Sequence, residues 1–189
     1  MDKPGTNVSG TSDYLPVEKQ LDLMKRLVPN AKRIGVLFNT SEVNYEVQID
    51  ELKKAAKEYE IVTLGITSTN EVNNAINSLV KKIDVLFVPT DNLVVSSMPI
   101  IVRSTLQAKI PIIASEQGSV ESGALATAGI NYYKLGYETG KMAVEVIKGA
   151  DISDMPLKTS EETDIFINEN TLKALDIPTP SIENIVYVK

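Results

Sequence analysis

The sequence predicts an α/β fold: a doubly wound parallel sheet of about five strands flanked by helices. Short, nearly continuous apolar runs such as Arg33 to Phe38 and Ile110 to Ala114 recur along the chain, as expected of strands covered on both faces. Between them lie amphipathic stretches of helical period, and repeated β-α units of this length imply parallel strands with right-handed crossovers. The chain has 189 residues, enough for one domain plus an appendage. That length buries a core without disulfides or metals.

Pro16 to Val28 reads as the first helix, with Ser12 or Asp13 as cap and Leu21, Met24, Leu27 and Val28 on one face. Pro29-Asn30 ends it, and Arg33 to Phe38 is the first strand. From Asn44 to Tyr59 a helix sets Tyr45, Ile49, Leu52, Ala56 and Tyr59 in one stripe. Ile61 to Ile66 is the second strand. Ser68-Thr-Asn-Glu71 fits a capping box, opening a helix that buries Val72, Ala75, Ile76, Leu79 and Val80. Asp84 to Val88 is the third strand. Pro99 interrupts the helical stretch Leu93 to Ala108, so a short turn precedes a helix starting near Ser97. Ile110 to Ala114 and Ala124 to Ala128 are the fourth and fifth strands.

Past Gly129 the texture changes. Asn131-Tyr-Tyr133 leads into a helix to Lys148 with Leu135, Met142, Ala143, Val146 and Ile147 on one side. Gly136 and Gly140 admit a close neighbour, and Gly149 stops the helix. A polar stretch, a short strand at Asp164 to Asn168, a brief helix at Asn170 to Leu175 and a Pro-punctuated tail follow. Ile185 to Val188 is either one more strand or a disordered end.

Composition removes several function classes. There is no His and no Cys, so a Ser-His-Asp triad, a Cys nucleophile, a thiolate or imidazole zinc site and a thioredoxin pair are all excluded. No cofactor is expected. The formal charge is −6 and the basic residues are scattered, which argues against a nucleic-acid partner. No apolar stretch reaches membrane-spanning length, and MDKPGTNVSG lacks the basic and apolar regions of a signal peptide.

In an open parallel sheet, ligands bind beyond the carboxyl ends of the strands, where strand order reverses. The first four strands are followed by runs beginning at Asn39, Thr67, Thr90 and Ser115, all rich in hydroxyl, amide and carboxylate groups. Helix capping alone would select Ser, Thr, Asp and Asn there. Four such loops on one edge, with the non-capping Gln117 among them, favour a polar binding lip. Tyr132 and Tyr133 either pack a boundary or form an aromatic wall.

An enzyme is the less favoured reading. The loop after the first strand has no glycine to cradle a pyrophosphate, and neither a Walker sequence nor a G-x-S-x-G elbow occurs. Glu42, Asp91 and Glu116 could converge for acid–base work or a Mg²⁺ site. Those loops hold no basic phosphate partner, and Lys32, Arg33 and Arg103 sit at the wrong ends of their elements.

Gly10-Thr-Ser-Asp13, Pro29 to Asn39, Val88-Pro-Thr-Asp-Asn92, Ile110 to Glu116 and Gly129 to Gly136 resemble the substrate-binding proteins of a bacterial ABC-transporter family. Members are similar to type I periplasmic binding proteins, and this chain looks most like the tryptophan or aromatic amino-acid binding lipoproteins of Gram-positive bacteria. Such proteins have two α/β lobes joined by three crossings. The resemblance implies that residues 1–13 form an inter-lobe crossing, 14–130 the second lobe, 131–150 a returning helix that packs on a first lobe, and 151–189 a further crossing, short strand and tail. An upstream lobe, signal sequence and lipid-bearing Cys are implied as well, and with them an extracytoplasmic location. The returning helix would then lack its partner, which points to self-association.

The same resemblance makes Thr40, Ser41, Asn44, Thr67, Thr90, Asp91, Asn92, Glu116, Gln117, Asn131 and Tyr132 the candidate ligand-binding residues. For an amino acid, hydroxyls and helix-start amides near Thr40, Ser41, Asn44 and Thr90 suit the carboxylate. Asp91 or Glu116 suits the ammonium, and Tyr132 can flank an apolar side chain. The implied function is non-enzymatic: binding a small solute and delivering it to an ABC permease. The alternatives are the effector domain of a transcription regulator with the same architecture and, less favoured, a carboxylate- or Mg²⁺-dependent enzyme.

Overall fold

A computed structural model describes residues 4–41, 44–159 and 163–189. The chain forms two compact units, one of residues 16–129 with 165–189 and the other of residues up to 15 with 130–164. In chain order the elements are β1 (Thr11–Ser12), α1 (Val17–Leu27), β2 (Arg33–Asn39), α2 (Asn44–Ala55), β3 (Glu60–Ile66), α3 (Thr69–Leu79), β4 (Val85–Val88), α4 (Asn92–Ser96), α5 (Met98–Gln107), β5 (Ile112–Ala114), α6 (Gln117–Glu121), β6 (Ala126–Ile130), α7 (Tyr132–Ile147), β7 (Lys158–Thr159), β8 (Thr163–Asn168), α8 (Glu169–Ala174) and β9 (Ile185–Val188).

The larger unit is built on a seven-stranded sheet in the order β3-β2-β4-β5-β6-β8-β9. The pairs β2–β3, β2–β4, β4–β5, β5–β6 and β8–β9 are parallel. Alternation along each strand feeds two cores. Ile34, Val36, Val85 and Phe87 face Leu21, Met24, Leu27, Ile49 and Leu52 on one side. Leu37, Leu86 and Val88 face Ile76, Leu79, Met98 and Ile101 on the other. Apolar residues on both faces explain why these strands read as continuous runs.

The sheet has seven strands, not about five, because the tail contributes β8 and β9. The expected 151–189 segment is therefore split: residues 165–189 join the sheet and 151–164 stay in the smaller unit. Phe166 and Ile167 are buried in the two opposite cores, so β8 is an interior strand in spite of its short polar flanks.

Side-chain capping departs from expectation at two helices. The N-cap of α1 is Pro16, without a side-chain cap, and Ser12 Oγ instead accepts from the Tyr14 amide at 3.1 Å. At α3, Ser68 makes no cap bond. The Glu71 carboxylate accepts from the Thr67 amide at 2.9 Å and the Thr67 hydroxyl at 2.7 Å, so the box is shifted one residue upstream. Pro99 lies in the first turn of α5, and the expected turn before it is the short helix α4. The side chain of Tyr45, placed in the stripe of α2, lies outside the described residues.

Buried Gln20 on α1 was not singled out by its sequence context. Its Nε2 donates to the Ala128 carbonyl at 2.8 Å and its Oε1 accepts from the Ala128 amide at 3.0 Å. One side-chain amide thus satisfies a backbone unit of β6 on both sides, which burial requires.

In the smaller unit β1 pairs in parallel with β7, Thr11 opposite Lys158. Ser9 Oγ donates to the Met155 carbonyl at 2.7 Å, and Met142 of α7 and Met155 are buried. The opposite stripe of α7 is open: Tyr133 is 84% and Ile147 83% exposed. A Cβ at Gly136 or Gly140 would meet nothing within 4 Å, so the close neighbour expected there is not among the described residues.

Asp84 ties β4 to β2. Its carboxylate accepts from the Lys32 and Arg33 amides at 3.0 and 2.9 Å and from Arg33 Nη2 at 2.7 Å. The Arg33 hydrogen bond holds the Asp84 carboxyl below its ordinary value, against a smaller opposing effect of burial. A lowered folded-state value means a contribution complete above the unfolded pKa and lost as pH falls through the folded one. Asp84→Asn is expected to cost about 1–2 kcal/mol at neutral pH in urea unfolding. The gap from wild type should close as pH drops below the unperturbed aspartate value of about 3.9; a gap unchanged well below it contradicts this assignment.

Candidate functional site

Strand order reverses between β2 and β4: the chain goes outward from β2 to β3, then returns to the other side of β2. The loops leaving β2, β3, β4 and β5 at their carboxyl ends form one edge of the larger unit. Thr40, Ser41, Thr67, Thr90, Asp91, Asn92, Glu116 and Gln117 all belong to this edge. Asn44 opens α2, but its side chain, like Glu42, lies outside the described residues.

Asp91 holds the reversal point together. It is 2% exposed. Its Oδ1 caps α4 by accepting from the Val94 amide at 3.0 Å, and its Oδ2 accepts from the Asn39 amide at the end of β2 at 2.6 Å. Two further bonds join the same loops. Gln48 Oε1 of α2 accepts from the Thr90 amide at 3.0 Å, and the Thr40 amide donates to the Ile66 carbonyl of β3 at 2.9 Å. Gly65 in β3 makes room for this approach, because a Cβ there would lie 2.5 Å from the Thr40 methyl.

Around this framework the candidates divide by what they touch. Glu116 is half-buried and caps α6, accepting from the Gly118 amide at 2.7 Å, the Ser119 amide at 2.6 Å and the Ser119 hydroxyl. Gln117 donates to Glu121 at 2.7 Å. The Thr67 hydroxyl and amide hold the Glu71 carboxyl below its ordinary value. Thr40, Ser41, Thr90 and Asn92 are exposed on the edge.

Asn131 and Tyr132 belong to the smaller unit. Asn131 Oδ1 caps α7 through the Lys134 amide at 3.1 Å, while its Nδ2 donates to Asp164 at 2.8 Å. Tyr132 is exposed, and its hydroxyl donates to Asp13 at 3.3 Å. Sequence reading missed Gln48, Gly65, Asp13 and Asp164. Only the positions of Gly65 inside a strand and of Asp13 beside a crossing hinted at them.

Such an edge can present hydroxyls, amides and one half-buried carboxylate to a polar small molecule. Among the described residues no group of three or more acidic side chains is arranged to hold a metal ion. No helix of the described residues is long and apolar enough to cross a membrane.

Replacing Asp91 tests the framework. Asp91→Ala strands two buried amides and is expected to cost about 3 kcal/mol of unfolding free energy, and Asp91→Asn, with one acceptor oxygen, about half as much. Hydrogen exchange should accelerate at the Asn39 and Val94 amides. Unchanged stability and exchange in Asp91→Ala would rule out the strut.

The family model described as ABC transporter substrate binding protein matches residues 1–187. A tyrosine-binding protein from Clostridioides difficile is 59% identical over 191 residues, covering all of this chain and 55% of that protein. The ligand-free, open structure of a substrate-binding protein with adhesive properties from Clostridium difficile superposes with a TM-score of 0.92 at 59% identity, over all of this chain and 64% of that one. An ABC domain in complex with L-Trp from Streptococcus pneumoniae gives a TM-score of 0.84 at 36% identity, over all of this chain and 65% of that one. The chain thus spans a little over half the length of its curated relatives.

Proposed function

Because this chain belongs to the ABC transporter substrate binding protein family, we propose that it supplies one face of a binding site for an aromatic amino acid, delivered extracytoplasmically to an ABC permease. The observation that carries this reading is the polar edge at the strand-order reversal, where hydroxyls and helix-start amides gather without a metal cluster among the described residues. The tyrosine-binding and L-Trp-bound relatives support the ligand class. No step of catalysis is part of the proposal.

In this reading Thr40, Ser41 and Thr90 take the ligand carboxylate, and Thr67, Asn92 and Gln117 complete the rim; Asn44 is assigned to the same carboxylate, its side chain lying outside the described residues. Asp91 serves as the strut, since burial and two amides occupy it. The ammonium falls to Glu116. A carboxylate offers about four acceptor positions, and Glu116 uses three of them on Gly118 and Ser119. Closure of two lobes around the solute, a hinge transition, would present the surface that the permease reads.

Titration of the 189-residue chain with the twenty amino acids, followed by amide NMR, tests this. L-tyrosine and L-tryptophan should shift residues 39–41, 67, 90–92 and 116–117 at about millimolar concentration, a dissociation constant worth only about 4 kcal/mol. Shifts confined to other surfaces, or none with any amino acid, would reject the reading.

The exposed stripe of α7 favours a second copy of the chain as partner. Tyr133, Tyr137, Gly140, Val144 and Ile147 repeat at spacings of 4, 3, 4 and 3, the period of paired helices. Sedimentation velocity at tens of micromolar should show a dimer that Tyr137→Glu dissociates; a clean monomer for the wild type would dispose of this interface.

A further inference from the structure

Backbone donors where β2 and β4 end are already spent. The Asn39 amide donates to Asp91 at 2.6 Å, and the Thr40 amide to the Ile66 carbonyl at 2.9 Å. The Ser41 amide donates to Asn39 Oδ1 at 3.0 Å, and the Asp91 amide to the Pro89 carbonyl at 2.9 Å. The Thr90 amide donates to Gln48 Oε1 at 3.0 Å. None of residues 39–41 and 90–92 is Lys or Arg. An anionic group arriving at this part of the edge must therefore be received by neutral side chains, all of them within the larger unit.

Those side chains differ in how far they are set in advance. Thr40, Ser41 and Thr90 are exposed, and each hydroxyl hydrogen rotates about one bond to suit its acceptor. The Thr40 hydroxyl has a long contact, 3.4 Å, with the Ile66 carbonyl. Gln48 is half-buried in the second turn of α2, beside the buried Ile49. A carboxamide carries an acceptor at one end and two N–H donors at the other. With Oε1 committed to the Thr90 amide, a flip would set N–H against N–H, so the bond fixes which end is which. Nε2 has no partner among the described residues, and its two hydrogens remain beside Thr90.

We propose that Gln48 is a ligand-binding residue whose side-chain amide donates to the carboxylate of an amino acid held at this edge, alongside the Thr40, Ser41 and Thr90 hydroxyls. The inference rests on the reading above that these hydroxyls receive the ligand carboxylate. It adds a donor whose orientation the fold has already set, so less freedom is lost on association. A carboxylate acceptor makes such a bond stronger than a neutral one would. Because the donor is uncharged, it does not compete with the ligand ammonium for Glu116.

Gln48→Glu separates the two ends of the side chain: it keeps an oxygen for the Thr90 amide and exchanges the NH2 for a second carboxylate oxygen. The 189-residue chain is titrated with L-tryptophan by amide NMR, with the melting temperature and hydrogen exchange at Thr90 measured alongside. Tryptamine, which has the indole and the ammonium without the carboxylate, is the second probe. L-tryptophan should move the side-chain NH2 resonances of Gln48 in the wild type. It should bind Gln48→Glu roughly tenfold more weakly, with melting temperature and Thr90 exchange unchanged, while the response to tryptamine is not weakened. A variant that binds L-tryptophan like the wild type, or that weakens both probes equally, would overturn the carboxylate contact. A loss that runs in step with the melting temperature or with faster Thr90 exchange would overturn it in favour of a structural role. Each of these results leaves the ligand reading intact. A wild-type chain whose edge ignores L-tryptophan would reject the ligand reading itself, and the role of Gln48 with it.

Discussion

The buried carboxylate of Asp91 is the constraint on which the polar edge depends. Where strand order reverses, successive crossovers leave on opposite faces of the sheet, α2 into one core and α4 with α5 into the other. The ends of β2 and β4 must therefore diverge, so the Asn39 amide loses a continuing ladder partner, while the Val94 amide is one of the unpaired donors in the first turn of α4. Leaving buried amides unpaired is costly. A single side chain accepts from both, and two amide dipoles in return compensate a charge that burial would otherwise penalise. The spacing of the two loops follows from the span of one carboxylate.

That constraint sorts the polar residues of the edge into two kinds. Asp91 is turned inward, and Glu116, half-buried, caps its own helix, so both are largely occupied by backbone amides. Thr40, Ser41, Thr90 and Asn92 are turned outward and held by their main chains. The rigid part of the lip is made of acidic acceptors and the adaptable part of hydroxyls and amides. Pre-orientation of this kind lowers the entropy lost when a small solute is bound.

Much of the fold was legible because its signals are local. Arg33 to Phe38 and Asp84 to Val88 are apolar on both faces, and the stripes of α1 and α3 repeat at helical period. The extent of the sheet was not legible. β8 and β9 follow the long excursion through α7 and β7, and what makes β8 interior is its place between β6 and β9, a property of strand order. Caps failed for a related reason: the Thr67 and Ser68 hydroxyls both donate to Glu71, but the backbone amide it accepts from is that of Thr67, and a difference of one residue in the turn decides that. The edge was identifiable from four polar loops, yet composition could not say that Asp91 points inward. That depends on an amide fifty-two positions away in the chain.

The place of β8 also bears on the order in which the molecule can be completed during synthesis. β6 is buried along its whole length, but its outer neighbour is not made until the chain has gone through α7 and β7. The 32 residues from 131 to 162 separate the two strands, and a ribosome adding about 5–20 residues per second needs roughly two to six seconds for them. Through that interval β6 presents an apolar, unpaired edge to the cell, the kind of template that recruits foreign strands. In the finished molecule Gln20 satisfies both the amide and the carbonyl of Ala128 on that strand.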